Sequence, residues 1–420
     1  MRYDSPLRKR HQQWAEAQSA VMSERVDSAE RPGAANAARA GSFEVSYVPY
    51  GPADEEGAAS CEVIESFGPL ESEYAVIRRS AGLFDAPHRG VIELRGPDRL
   101  DFLDRMITQA VGSLPEGEVC RSFWLDRKGR IVSDMLLGNL SDRTILELDI
   151  HAAARTLETL DAFLFAEDVQ MSFDPGETAQ LCLHGSATLA VLSDLLEGGD
   201  SNILPAASEG VLAGCELSML RCDETGEPGM VLSCARNDAE RIWDALLSWE
   251  SPSGHGVRPI GWSAYNTARI EAGTPLFNVD FGTDALPHET GVLHDRVNFK
   301  KGCYLGQEIV ARIDSLGHPK QVLCALDIET DMLPIAGAQV FAALKAENDD
   351  STQASGLFGP QVGWVTSSTL APMLGAKPIA FAMLKFDYVE PGTNLLLAAD
   401  GEQIKASVHD GLRFLPGESS

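Results

Sequence analysis

The run Ser122-Phe123-Trp124-Leu125-Asp126-Arg127-Lys128-Gly129-Arg130-Ile131-Val132-Ser133-Asp134-Met135-Leu136-Leu137 decides the fold. Ser122 to Leu125 and Ile131 to Leu137 read as two strands, and Asp126-Arg127-Lys128-Gly129 between them is a hairpin turn signal. Upstream, Glu71 to Ala81 has helical spacing with Gly82 as its stop. Val91 to Arg95 alternates as a strand. Asp98 is placed to cap a helix over 99–107 whose Leu100, Phe102, Leu103 and Met106 face inward. Downstream, Ile145 to Asp149 reads as a strand and Ala152 to Phe163 as a helix. Helices crossing back over antiparallel strands predict an α+β lobe.

A second lobe repeats this order. Gln180 to His184 reads as a strand, Ala187 to Leu196 as a helix, Glu216 to Arg221 and Met230 to Ser233 as strands, and Ala239 to Ser248 as a helix. The shared order suggests a structural duplication, without a visible residue-level repeat. After residue 320 the pattern changes to short strands between Gly/Pro turns: Val322 to Ile328, Gln339 to Ala342, Val362 to Thr366, Pro378 to Leu384 and Thr393 to Leu397. That is a small all-β domain. At the other end, Leu7 to Val26 reads as a charged helix, Pro32 to Ser42 as an Ala/Gly-rich linker, and Asp54 to Ala59 as an acidic loop. Order is expected to begin near Leu70. The expected organisation is a flexible tail over 1–44, a first lobe over 45–175, a second over 176–320 with some interleaving, and a barrel-like domain over 321–420.

A chain of 420 residues exceeds what one core usually serves, so several domains are expected. It carries 62 acidic against 34 basic residues, a formal net charge of -28, which favours solubility and argues against a nucleic-acid backbone as partner. Lys300, Lys301, Arg312 and Lys320 form a local basic cluster, either an anion contact or a solvated edge. The eight cysteines include no C-x-x-C pair, so no self-contained zinc ribbon or cluster motif is read and no bound metal is expected. Their spread through apolar segments suits reduced thiols in a cytosol. No secretory signal and no apolar run long enough to span a membrane is read, so a cytoplasmic location is expected.

The octapeptide Lys301-Gly302-Cys303-Tyr304-Leu305-Gly306-Gln307-Glu308 carries the densest chemistry. Its glycines permit close backbone approach. An ammonium beside a thiol raises the reactive thiolate fraction. The plainer reading is a strand-to-helix turn with a structural cysteine.

Several segments, in order, resemble one family. Ala81-Gly82-Leu83-Phe84-Asp85, Gly96-Pro97-Asp98, Phe102-Leu103, Asp126 to Asp134, Thr225-Gly226-Glu227-Pro228-Gly229, Arg269-Ile270-Glu271-Ala272-Gly273 with Pro275, Pro287-His288-Glu289 and Val365-Thr366-Ser367 look like the glycine-cleavage T-protein (aminomethyltransferase) superfamily. The octapeptide resembles the signature of its YgfZ-type folate-binding members, which support iron–sulfur cluster assembly or repair. The resemblance implies a cloverleaf of two α+β, ferredoxin-like lobes and a C-terminal β-barrel around a central folate channel. Two positions depart from T-proteins: Ser133-Asp134 stands for paired aspartates, and Tyr265 for an arginine. Both count against aminomethyl transfer.

The site residues follow from that resemblance. The implied cofactor is tetrahydrofolate or a one-carbon derivative. Glu227 is expected to accept a pterin N–H and amine together; otherwise its segment is simply a turn. Asp134 is expected at the one-carbon bridge as a proton acceptor, unless Ser133 holds that place. Arg269 is expected to meet the folate tail or Glu271, and Tyr265, on the same helix face, to stack on the ligand. Cys303 is the expected functional thiol: a shared cluster ligand, an acceptor of a transient sulfur species, or a redox sensor. One cysteine cannot hold a cluster alone. Gln307 and Glu308 are expected to fix the loop, with Glu308 also placed to orient Lys301, and Arg312 to supply an anion contact. Lys301, Gly302, Tyr304 and Gly306 complete the motif that would meet iron–sulfur assembly or client proteins. Three functions follow: a folate-binding iron–sulfur accessory protein, a folate-dependent aminomethyltransferase, or a non-catalytic docking module. They differ in whether the chain is an enzyme.

Overall fold

The computed structural model describes residues 3–28, 45–53, 59–198, 204–343, 358–399 and 401–416. The hairpin read from Ser122 to Leu137 is the edge of a five-stranded sheet. Its strands run Val119–Leu125, Ile131–Asn139, Arg143–Asp149, Arg89–Arg95, Gln170–Ser172, all antiparallel. The turn forms because Asp126 Oδ1 accepts from the Lys128 and Arg130 amides at 2.8 and 2.9 Å, while Gly129 takes φ +73°. Strand alternation then separates two faces. Ile131, Met135 and Leu137 enter the core of this lobe, whereas Asp134 and Leu136 point toward the middle of the molecule.

The second sheet has six strands, ordered Ala207–Leu212, Cys215–Arg221, Gly229–Ala235, Thr178–His184, Ala81–Asp85, Val257–Pro259. The lobes interleave, since Ala81–Asp85 precedes the whole first sheet in the chain yet pairs with Thr178–His184. Gly82 is therefore a strand residue and not the helix stop expected of it; the helix, Leu70–Arg79, ends at Ser80. A side chain at Gly82 would stand within 2.8 Å of Ile260, so glycine answers a close approach there. Asp98 precedes the helix Arg99–Met106 but makes no cap bond to it; its Oδ2 accepts the Asp168 amide at 2.8 Å.

The C-terminal domain is a closed six-stranded barrel in the order Gln321–Ile328, Lys377–Lys385, Phe358–Ala371, Gln339–Ala343, Asn394–Ala399, Glu402–Val408. The strand that closes it, Glu402–Val408, was not among those read from the sequence. Two lobes and a barrel give the mixed α+β class that was expected.

The N-terminus departs from a flexible tail. The helix Arg8–Ser28 begins close to where it was expected, but Leu7, His11 and Ala15 are buried, with the His11 ring 5.3 Å from those of Trp243 and Phe67. Their i, i+4, i+8 spacing makes one stripe, which packs on the second lobe. Order also precedes Leu70, as the hairpin Ser46–Ala53 with Ala59–Ser66. The expected linker over 32–42 and residues 54–58 of the acidic loop lie outside the described residues.

The modules meet on one helix, Trp262–Ala272, whose residues from Thr267 to Ala272 are all buried. Arg269 is fully buried and donates to Asp280 at 2.7 Å, Ser367 Oγ at 2.8 Å, Asn266 at 2.9 Å and the Thr274 carbonyl at 3.0 Å. Asp280 in turn accepts from Ser367, Thr366 and the Leu276 amide. Replacing Asp280 with Ala leaves that guanidinium buried without its counter-charge. It is expected to lower unfolding stability by about 3–5 kcal/mol, read as a fall in the urea midpoint; a change below about 1 kcal/mol would show the pair to be dispensable.

Candidate functional site

Between the two sheets lies a small cavity of about 50 Å³. Its polar walls come from charged residues that strand alternation turns away from both lobe cores. Arg89 opens the strand Arg89–Arg95, Arg121 sits in Val119–Leu125, Asp134 in Ile131–Asn139 and Glu147 in Arg143–Asp149. Glu224 arrives from the turn before Gly229–Ala235. Tyr50, Leu136, Leu276 and Phe277 add flat and aliphatic surface.

The charges are organised around Glu224. Its Oε1 accepts from Arg121 at 2.7 Å, and its Oε2 from Arg89 at 2.5 Å and from the Tyr265 hydroxyl at 2.7 Å. Arg89 also donates to Glu147 at 2.8 Å. Burial alone would raise the Glu224 pKa, but the Arg89 and Arg121 guanidiniums outweigh it and hold the carboxylate well below its usual range. Burial raises Glu147, against the pull of Arg89. It also raises Asp149, against its hydrogen bonds from Tyr50 at 2.6 Å and from Asn278 at 3.0 Å. Arg296 Nε meets Asp134 Oδ1 at 3.0 Å. His88, buried on the same wall, has no protein partner at either ring nitrogen, and burial drives its pKa well down, so it is neutral.

The sequence-predicted residues divide among four places. Asp134 faces the cavity, and Ser133 is buried on the opposite face of the strand, among the core. Tyr265 joins the cluster through Glu224, with its ring stacked 5.1 Å from Phe84. Glu227 is not on the cavity wall; it is partly exposed and lies 3.3 Å from Arg78. Arg269 is spent on Asp280, and Glu271 instead accepts from Arg78 at 2.8 Å. Residues two apart on a helix face different ways, which is why Arg269 and Glu271 do not pair.

The octapeptide is elsewhere again, packed on the Asp126–Gly129 turn. Lys301 is a strut and not an activator of the neighbouring thiol. Its Nζ donates to the carbonyls of Asp104, Ile107 and Gln109 at 2.5, 2.9 and 2.6 Å, with Asp104 Oδ1 at 3.6 Å. Glu308 is exposed and does not orient it. Tyr304 is buried beneath Lys301, whose Nζ lies 5.6 Å from the ring centroid. Gly306 takes φ +81° to start the helix Gln307–Leu316, and a side chain there would strike the Asp126 carbonyl. Gln307 reaches the Gly302 carbonyl at 3.4 Å. Gly302, Cys303 and Arg312 are exposed.

Glu224, Arg89, Arg121 and Glu147 were missed by the sequence reading. One signal was present: Glu147 interrupts Ile145-Leu146-Glu147-Leu148, a charge in an otherwise apolar strand.

The fold, the cavity and the motif order can be set against known proteins. Residues 13–301 match the GCVT N-terminal domain family, and residues 322–413 the glycine cleavage T-protein C-terminal barrel domain. The chain belongs to the glycine-cleavage T-protein family. It is 29% identical over 351 residues to an aminomethyltransferase of Geobacillus sp. (strain WCH70), covering 83% of this chain and 91% of that one. It is 27% identical over 350 residues to the aminomethyltransferase of Bacillus subtilis (strain 168), with 83% and 91% covered. In fold it is similar to the crystal structure of glycine cleavage system aminomethyltransferase T from Bartonella henselae, with a TM-score of 0.73 over 89% of this chain and 95% of that one, at 23% identity. No described helix is long and apolar enough to cross a membrane.

Because Glu224 is held ionised in the fold, it contributes stability above the ordinary carboxylate value of 4.5 that is lost as pH falls toward its depressed folded value. Glu224→Gln should therefore be less stable than wild type at neutral pH, with the gap narrowing in acid. Thermal midpoints against pH check this; a gap of constant size would show that the charge is not the source.

Proposed function

We propose that this protein binds a reduced folate at the central cavity, with Asp134 facing the ligand, and serves one-carbon chemistry of the aminomethyltransferase kind. The placement of Asp134 carries the reading. The hairpin register turns its carboxylate into the cavity, where Arg296 orients it, and turns Ser133 away. The serine that replaces an aspartate thus removes no charge from the cavity. Family membership over both domains supports the same reading. Tyr265, which stands for a T-protein arginine, remains a departure: here its hydroxyl is committed to Glu224.

The donor chemistry suits a pterin better than the space does. Tyr50 and Phe277 offer flat faces, and the carboxylates and guanidiniums offer polar edges. The cavity of about 50 Å³ holds a few water molecules, whereas ligand pockets run to about 300–1,000 Å³. The cavity has to widen to take a folate, and no transfer step is assigned through it. Bound, it would supply the nitrogens that carry the one-carbon unit. What the chain itself contributes is an oriented carboxylate at Asp134, placed to accept an N–H or hold a proton. Tetrahydrofolate binding followed by calorimetry should be seen for wild type and weakened about tenfold or more in Asp134→Asn, the loss of one charge-assisted hydrogen bond. Absence of binding by wild type, or equal binding by both, would overturn the proposal.

A second reading rests on a different observation. Cys303 is exposed, the other seven cysteines are buried or half-buried, and Lys301 and Gly306 fix the loop that presents it. In the manner of the YgfZ-type proteins it resembles, the chain would support iron–sulfur assembly or client proteins through this thiol. In a strain lacking the gene, under oxidative stress, an iron–sulfur enzyme should regain activity with wild type and not with Cys303→Ala. Equal rescue by both would make the thiol dispensable and leave the function to the folate cavity.

A further inference from the structure

A second constellation lies behind the cavity wall and shares only Glu224 with it; the folate reading gives no role to the other two members, His184 and Cys222. His184 ends the strand Thr178–His184, and Cys222 and Glu224 belong to the turn that leads into Gly229–Ala235. One ligand atom from each, a ring nitrogen, the sulfur and a carboxylate oxygen, all lie within 4.8 Å of one another, and all three residues are buried. Pairing aligns His184 with Gly229, and the Cys222 amide donates to the Gly229 carbonyl at 2.9 Å. Glycine keeps the space open. A side chain at Gly229 would stand 2.8 Å from His184 Nδ1 and 2.3 Å from the Cys222 carbonyl oxygen.

His184 is the observation that points to a ligand. It is fully buried, and neither ring nitrogen has a protein partner. Buried polar groups are otherwise almost always paired. A neutral imidazole offers a lone pair at one ring nitrogen. Glu224 is already ionised and oriented. Its three hydrogen bonds occupy three of the roughly four lone-pair positions of a carboxylate, which leaves one.

We propose that His184, Cys222 and Glu224 bind one zinc-type divalent cation. The nitrogen, sulfur and oxygen set is one that zinc accepts, with the fourth tetrahedral place left to a water. Zinc bonds of about 2.0–2.3 Å put ligand atoms roughly 3.3–3.8 Å apart, so the trio closes by small side-chain rotations. The balance is simple. Cys222 loses its thiol proton to solvent as the Sγ–metal bond forms. The thiolate and the Glu224 carboxylate then neutralise the dication, which is why it can sit beside Arg89 and Arg121. Glu224 also lines the cavity, so the cavity is the path of entry.

The test uses the full-length chain, stripped of metal with a chelator and titrated with Zn²⁺ and with Co²⁺ as a spectroscopic probe. One equivalent should bind, and Co²⁺ should show a thiolate charge-transfer band. That band should survive Cys303→Ser and vanish in Cys222→Ser. His184→Gln should weaken Zn²⁺ by more than the roughly 10–100-fold that loss of an outer-shell partner costs. Circular dichroism and melting curves establish that each variant is folded. Should a variant unfold, the wild-type band with and without the Cys303 substitution still decides. No stoichiometric binding, no thiolate band, or a band that disappears with Cys303 would overturn the site. None of these outcomes depends on folate, so failure here is distinct from failure of the folate reading.

Discussion

Arg269 is the constraint on which the rest of the molecule depends. A fully buried guanidinium is tolerated only where its donors are met, and here a carboxylate, a hydroxyl, an amide oxygen and a backbone carbonyl meet them. Those partners come from different modules. Asn266 lies on the central helix, Thr274 and Asp280 follow it in the chain, and Ser367 belongs to the barrel strand Phe358–Ala371. Glu271, on another face of the same helix, accepts from Arg78 and from the Met373 amide. Glu73 fastens the opposite end, its Oε2 accepting the Gly261 amide at 2.6 Å. The helix Trp262–Ala272 thus fixes where lobes and barrel stand relative to each other, and so where the cavity lies.

The same logic of satisfied burial explains the octapeptide. In sequence, a lysine beside a cysteine suggests an activated thiol. In the fold the ammonium turns the other way and gathers three carbonyls from residues 104–109, where the first-lobe helix has ended and its last carbonyls lack partners. Gly306 and the Asp126 carbonyl fit together, so the octapeptide and the fold-deciding hairpin are complementary surfaces. Most of this motif encodes the placement of a loop. Cys303 meets solvent, as do Gly302 beside it and Glu308 at the far end of the motif.

Much of the fold was legible because period and punctuation agree. The hairpin of Ser122 to Leu137, both helices flanking each sheet, and five barrel strands were readable from apolar alternation and Gly/Asp turns. Glu402–Val408 was not, although Ile404, Ala406 and Val408 alternate inward, because a short strand with one alanine among three inward positions is a weak signal. The N-terminal stripe was hidden for a similar reason: Leu7, His11 and Ala15 include only one large aliphatic. The candidate site was less legible. Motif residues Glu227 and Arg269 carry the family resemblance, yet both serve ion pairs away from the cavity. The cavity is lined by Arg89, Arg121, Glu147 and Glu224, four charges that look like ordinary strand and turn residues until three strands and a turn are brought together.

That arrangement sets terms for any ligand. Glu224 already has three donors, and Arg89 is shared between two carboxylates, so a ligand that sought those groups would exchange one set of charge-assisted bonds for another and gain little. Discrimination falls instead to groups with unspent capacity on the same wall. Asp134 has a single Arg296 contact, and neither ring nitrogen of His88 has a hydrogen-bond partner. A ligand that meets both of these, and widens the gap between Phe277 and the sheet, gains pairing without dismantling the central cluster. The ion network around Glu224 is therefore a rigid floor, and under the proposed folate reading recognition would fall to the rim that carries Asp134.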